Sequence, residues 1–127
     1  MANLDAVRGH STTVLESAAR TATPTVDTFR TSGAASALLL IIDVTATAAT
    51  PSVVFTIKGV DPLSGKTWDI LASAAVTSTG TTVLRVSPHL TASANLIAKD
   101  VVPAHFTVTA VHADADSITY SVAAQVV

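Results

Sequence analysis

Cysteine is absent from this chain. No disulfide braces the fold, and no thiolate serves as a zinc ligand or a nucleophile. A cysteine-free chain fits synthesis in a reducing cytoplasm. Charge is also scarce. Lys, Arg, Asp and Glu make up 13% of the 127 residues, with a formal net charge of -2; globular domains usually carry about 25%. A near-neutral chain lacks the basic surface that phosphate recognition requires, so nucleic acid is not an expected partner. Aromatic residues are 4%, too few for the exposed rings of a carbohydrate platform. No hydrophobic run approaches the ~20 residues needed to span a bilayer. The opening Met1-Ala2-Asn3-Leu4-Asp5 shows neither the basic start nor the apolar core of a signal peptide. No membrane association is expected.

Hydrophobic residues reach 49%, and they are mostly Ala and Val set among Thr and Ser. Such a surface carries few of the charges that keep monomers apart, which favours a protein partly covered by its partners. The densest aliphatic block is Ala37-Leu38-Leu39-Leu40-Ile41-Ile42-Asp43-Val44-Thr45-Ala46. On an extended strand, Leu38, Leu40, Ile42, Val44 and Ala46 share one apolar face. Leu39, Ile41, Asp43 and Thr45 share the other, which turns polar partway along. A short buried helix is the alternative, and the β-branched run Ile41, Ile42, Val44, Thr45 favours the strand. The block is expected near the centre of a sheet, with Leu39 and Ile41 needing a cover from the upstream segment or from a neighbouring subunit.

Residues 1–33 lack a sustained period and hold Pro24 in Thr21-Ala22-Thr23-Pro24-Thr25. They are expected to form an extended N-terminal arm with one or two edge strands, near Val14 and Leu15 and near Val26 and Phe29. An arm with so little to pack would lie on a neighbouring subunit or on its own domain. Deleting residues 1–32 is expected to leave the sandwich folded. Residues 34–127 form the domain proper. Strands are expected over 52–60, 67–72, 81–86, 105–112 and 117–127. Breaks fall at Thr50-Pro51, Asp61-Pro62-Leu63-Ser64-Gly65-Lys66, Thr77-Ser78-Thr79-Gly80 and Ala113-Asp114-Ala115-Asp116. Trp68 and Ile70 would share a strand face. Residues 90–98 read as a helical turn or a loop. Many short strands at near-regular spacing point to an all-β fold, an antiparallel β-sandwich of jelly-roll type, with a barrel second.

Chemistry-bearing constellations are few. His112, Asp114 and Asp116 cluster, but the glycine and distal glutamate of a calcium loop are missing, and hairpin-turn chemistry explains the two aspartates. No nucleophile elbow, phosphate-binding glycine loop or opposed carboxylate pair is evident. No catalytic, cofactor or metal residue is nominated, and the chain does not read as an enzyme. Trp68 is the one candidate for an exposed ring, and a hairpin tryptophan is more often a core or interface anchor.

The stretch Val53-Val54-Phe55-Thr56-Ile57-Lys58-Gly59-Val60-Asp61-Pro62-Leu63-Ser64-Gly65-Lys66-Thr67-Trp68-Asp69-Ile70-Leu71-Ala72, with Thr81-Thr82-Val83-Leu84-Arg85-Val86 and His112-Ala113-Asp114-Ala115-Asp116-Ser117-Ile118-Thr119-Tyr120, resembles small structural proteins of tailed bacteriophages. The likeness covers most of the chain from Leu38 onward and touches Ser17-Ala18-Ala19-Arg20-Thr21. The family commonly shows a basic or aromatic residue near the positions of Ala104 and His105. The resemblance implies a virion structural protein, made in the host bacterial cytoplasm, and no catalytic residues. The expected role is capsid decoration: a cement protein outside the phage head, contacting the major capsid protein as a homo-oligomer, a trimer first. Tail or neck components (tube, terminator or fibre-associated) are the alternative, and a host-glycan-binding sandwich is a third. Expected interface residues are Val14, Leu15, Arg20, Val26, Phe29, Arg30, Leu39, Ile41 and Trp68.

Overall fold

A computed structural model describes residues 3–6, 10–31 and 35–127. The fold is an all-β sandwich. Its strands are β1 (Asn3–Ala6), β2 (His10–Arg20), β3 (Thr28–Thr31), β4 (Leu38–Thr47), β5 (Val53–Val60), β6 (Thr67–Ala72), β7 (Gly80–Val86), β8 (Ile97–Ala98), β9 (His105–His112) and β10 (Ile118–Val126). One sheet has the order β1-β3-β9-β5-β6 and the other β10-β4-β7-β8. Pairing is antiparallel apart from β1 with β3 and β7 with β8. β2 lies along β10. Arg20, at the end of β2, meets Tyr120 near the start of β10, so these two strands run in opposite senses.

Strict alternation builds the core. Leu38, Leu40, Ile42 and Val44 of β4 pair with Val126, Ala124, Val122 and Tyr120 of β10, Ile118 follows beyond a bulge, and all are buried. Val53, Phe55 and Ile57 of β5 and Phe106, Val108 and Ala110 of β9 supply the facing layer. Phe55 meets Tyr120 edge-on at 5.1 Å between centroids, and Phe29 stacks on Phe106 at 5.4 Å. These rings join the two sheets and tie β3 to β9. No buried side-chain polar atom among the described residues lacks a hydrogen bond. The buried Ser73 hydroxyl, for example, accepts from Phe55 N and donates to Ala74 O.

Two bulges revise the expected alternation. Between β10 and β4 the register skips Thr45, which turns Ala46, expected on the apolar face, out to solvent. Between β5 and β6 it skips Ile70, so Leu71 pairs with Ile57 and Trp68 with Gly59. Trp68 therefore sits on the core-facing side with Leu71, and Ile70 packs at the bulge. Residues 90–98 hold turns and the short β8, with no helix.

The arm is more deeply built in than the sequence suggested. β3 pairs with β9, and Phe29 is 1% exposed inside the domain's own core. The expectation that Phe29 contacts a partner is therefore corrected: its ring is spent on Phe106. Deletion of residues 1–32 would also remove this core ring, so it does not isolate the arm's contacts. The cover foreseen for Leu39 and Ile41 does not come from β2 either. That strand extends the sheet beside β10 and does not lie across its outer face.

Candidate functional site

Both ends of β9 carry a histidine, and the two ends of the sandwich differ there. At the His112 end, Nε2 of His112 lies 3.0 Å from the Tyr120 hydroxyl. The Arg20 guanidinium sits 4.6 Å above the Tyr120 ring. It also donates to the carbonyls of Tyr120 (2.8 Å), Glu16 (2.6 Å) and Ala18 (3.3 Å). Thr23 Oγ1 accepts the His112 backbone N–H at 3.1 Å. Burial pulls the His112 imidazole below its ordinary range; Arg20 adds to this and Asp114 opposes it. Burial raises the Tyr120 phenol, and Arg20 pulls it the other way. This end is closed by groups of the chain itself.

The His105 end is open. A groove of about 550 Å³ is lined by Val60, Asp61, Pro62, Trp68, Ile70, Asp100, Val101, Pro103, Ala104 and His105. Trp68 is 50% exposed and Val101 68%. Leu63, at the tip of the adjoining hairpin, is 96% exposed. The other four aromatic side chains, Phe29, Phe55, Phe106 and Tyr120, are buried. Gly59 explains how Trp68 is held. A Cβ at residue 59 would overlap the six-membered ring of the indole, so glycine lets that ring lie against the neighbouring strand.

The groove wall at Asp61 is fixed by its turn. The Asp61 carboxylate accepts from Ser64 Oγ at 2.8 Å and from Leu63 N at 3.0 Å. These bonds, the Ser64 one foremost, hold its pKa below the usual carboxylate value. Gly65, at φ 76, closes the turn in a conformation that favours glycine. Asp100 Oδ1 accepts from Val101 N at 2.7 Å. Asp61 is thus a standing negative charge and is poorly suited to shuttling protons. A second hollow of about 450 Å³ is lined mostly by alanine, serine and threonine with Val76, Asn95 and Leu96, and by no titratable group among the described residues.

The remaining expected contact residues are scattered. Val14, Leu15 and Val26 pack partly buried against the domain's own core. Arg20 is engaged on Tyr120, and Arg30 is exposed on β3. Leu39 and Ile41 are half-buried on the outer face of β4, in the rows that hold Arg85 with Gln125 and Val83 with Ala123. Only Trp68 lies in the groove. The turn at 113–116 is held by Asp116 N donating to Asp114 Oδ1, and by Thr50 donating to Asp116 Oδ2. No cluster of metal-ligating side chains occurs among the described residues, and none of their helices is long and apolar enough to cross a membrane.

No family model, curated protein or solved structure matches this chain. The geometry therefore stands alone. Sequence reasoning singled out Trp68 but missed Val101 and Asp100, which line the groove with it. The available signal was Gly59: an isolated glycine inside a strand marks close approach of another group.

Proposed function

We propose that this protein is a non-enzymatic virion structural protein, a capsid decoration protein that binds the outside of a phage head and braces neighbouring copies of the major capsid protein. One observation carries the reading. A charge-poor sandwich buries every aromatic ring but one, and that ring lines a groove with Val101 at one open end. An exposed aromatic anchor on a fixed sheet end is how binding hot spots are built. The resemblance of the hairpin and its flanking strands to tailed-phage structural proteins adds to this. The mechanism is linkage: a protein that binds the assembled shell and not free subunits stabilises the shell by mass action.

The test is a cryo-electron microscopy reconstruction of the particle that carries this protein, compared with particles lacking it. Expected is difference density on the outer head surface with the Trp68 end seated against the capsid, and a lower disruption temperature for particles lacking it. Density confined to the tail or neck would overturn the decoration reading in favour of the tail alternative.

A further inference from the structure

We infer that the Trp68 groove is a receptor for a guanidinium group, presented as an arginine on an exposed segment of a different protein. The inference does not depend on where in a particle this protein sits.

Three observations converge. The first is the ring. With its six-membered ring against Gly59, the indole of Trp68 still leaves half of the residue's surface open. An aromatic face attracts a cation through its quadrupole, and tryptophan does so best. The second is charge. Asp61 and Asp100 both line the groove, and among the described residues no lysine or arginine does. The Asp61 carboxylate is held ionised by its turn, whether or not a ligand is present. The third is the other end of the molecule. There the chain places its own Arg20 over Tyr120 and satisfies the guanidinium with carbonyl oxygens. At the open end the aromatic and the acceptors are in place, and among the described residues the lining contains no lysine or arginine to match them. Arg30 pairs across the sheet with His105 but does not line the groove.

A planar guanidinium suits the site better than an ammonium, because it stacks on the indole while its edge donates to carboxylates. A partner protein, rather than a free amino acid, is the occupant argued for. Pro62, Ile70, Val101 and Pro103 line the groove with Trp68, an apolar surface larger than one side chain, which fits the flanking residues of a bound segment.

Trp68 is the only tryptophan, so its indole N–H gives one unambiguous signal in a nitrogen–proton NMR spectrum. The labelled full-length protein is titrated with N-acetyl-arginine amide and, separately, with its neutral citrulline isostere. Expected is a saturable shift of the indole signal and of the Val101 and Ala104 amides with the arginine probe only. Asp100→Asn is expected to weaken binding about three-fold, the size of one exposed ion pair. Trp68→Leu should abolish the Val101 and Ala104 shifts while the rest of the spectrum keeps its dispersion. Equal shifts with the citrulline probe, unsaturable shifts, or unchanged affinity in Asp100→Asn would each overturn the inference. An indole signal that moves with protein concentration alone would assign the groove to a second copy of this chain, and so overturn the foreign partner. None of these outcomes depends on the position of density in a particle reconstruction.

Discussion

The two ends of β9 use similar parts in opposite ways. At the His112 end an aromatic ring, an arginine, a histidine and a threonine from the arm are all engaged, and Tyr120 is wholly buried. At the His105 end an aromatic ring, two carboxylates and a histidine surround open space. The difference lies in the arm: β2 and the segment after it deliver Arg20 and Thr23 to one end, while the His105 end receives β3, with β1 paired beyond it. A polar cluster satisfied within the chain contributes to folding. One left with its aromatic exposed is free to contribute to binding. Stability and recognition are thus expected to separate along a single strand.

The sharpest break of that comparison is Tyr120→Ala. It removes a ring packed edge-on against Phe55, with its contact under Arg20 and its hydroxyl bond to His112, and should cost about 3–5 kcal/mol. The urea midpoint measures it. Trp68→Ala, at the open end, removes a ring that is half in solvent, so about 1–2 kcal/mol is expected from the same experiment. If the two substitutions cost the same, Trp68 is a core residue and the contrast between the ends fails.

Arg20→Ala comes between them, at roughly 1–3 kcal/mol, because it loses charge-assisted bonds to backbone carbonyls as well as the contact over Tyr120. Amide hydrogen exchange locates the effect: protection along β2 should fall while that of β5 and β9 persists. Uniform loss across both sheets would mean that the arm and the sandwich unfold as one unit. Gly59→Ala sharpens the other end. The new Cβ must displace the indole, for about 1–3 kcal/mol, and the tryptophan emission should shift as the ring moves.

Much of the fold was legible in the pattern. β9 falls on its expected bounds, and β4, β5, β7 and β10 within a residue or so of theirs, because each alternates apolar and polar side chains over a long run. Less legible were Ala46 and Ile70, since a bulge is a mismatch between two strands and cannot be read from one. Phe29 was misjudged for a related reason: β3 is only four residues long, and its place in the core is set by pairing with β9, some 75 positions away. Of the open end, the tryptophan was visible as a rare residue. Val101 and Asp100 were not, because they reach the groove from a loop without periodicity.

The smallest expected effect is in pH dependence, and it separates the ends by window. His112 is held below its unfolded value of 6.5, chiefly by burial. Between that value and the folded one, the unfolded chain binds more protons than the native chain. Stability is therefore full above about 6.5 and falls as pH drops through this window. Asp61, at the open end, is held below its unfolded value of 3.8 by its turn bonds. Its contribution is present above 3.8 and is lost only as pH falls below it. Urea midpoints from pH 8 to pH 3 should thus decline in two stages, the first from the closed end and the second including the open one. His112→Gln should flatten the first stage and leave the second. Asp61→Asn should do the reverse, with the added loss of its turn. A first stage that survives His112→Gln would place the near-neutral titration elsewhere, and the closed end would then owe its stability to Arg20 and packing alone.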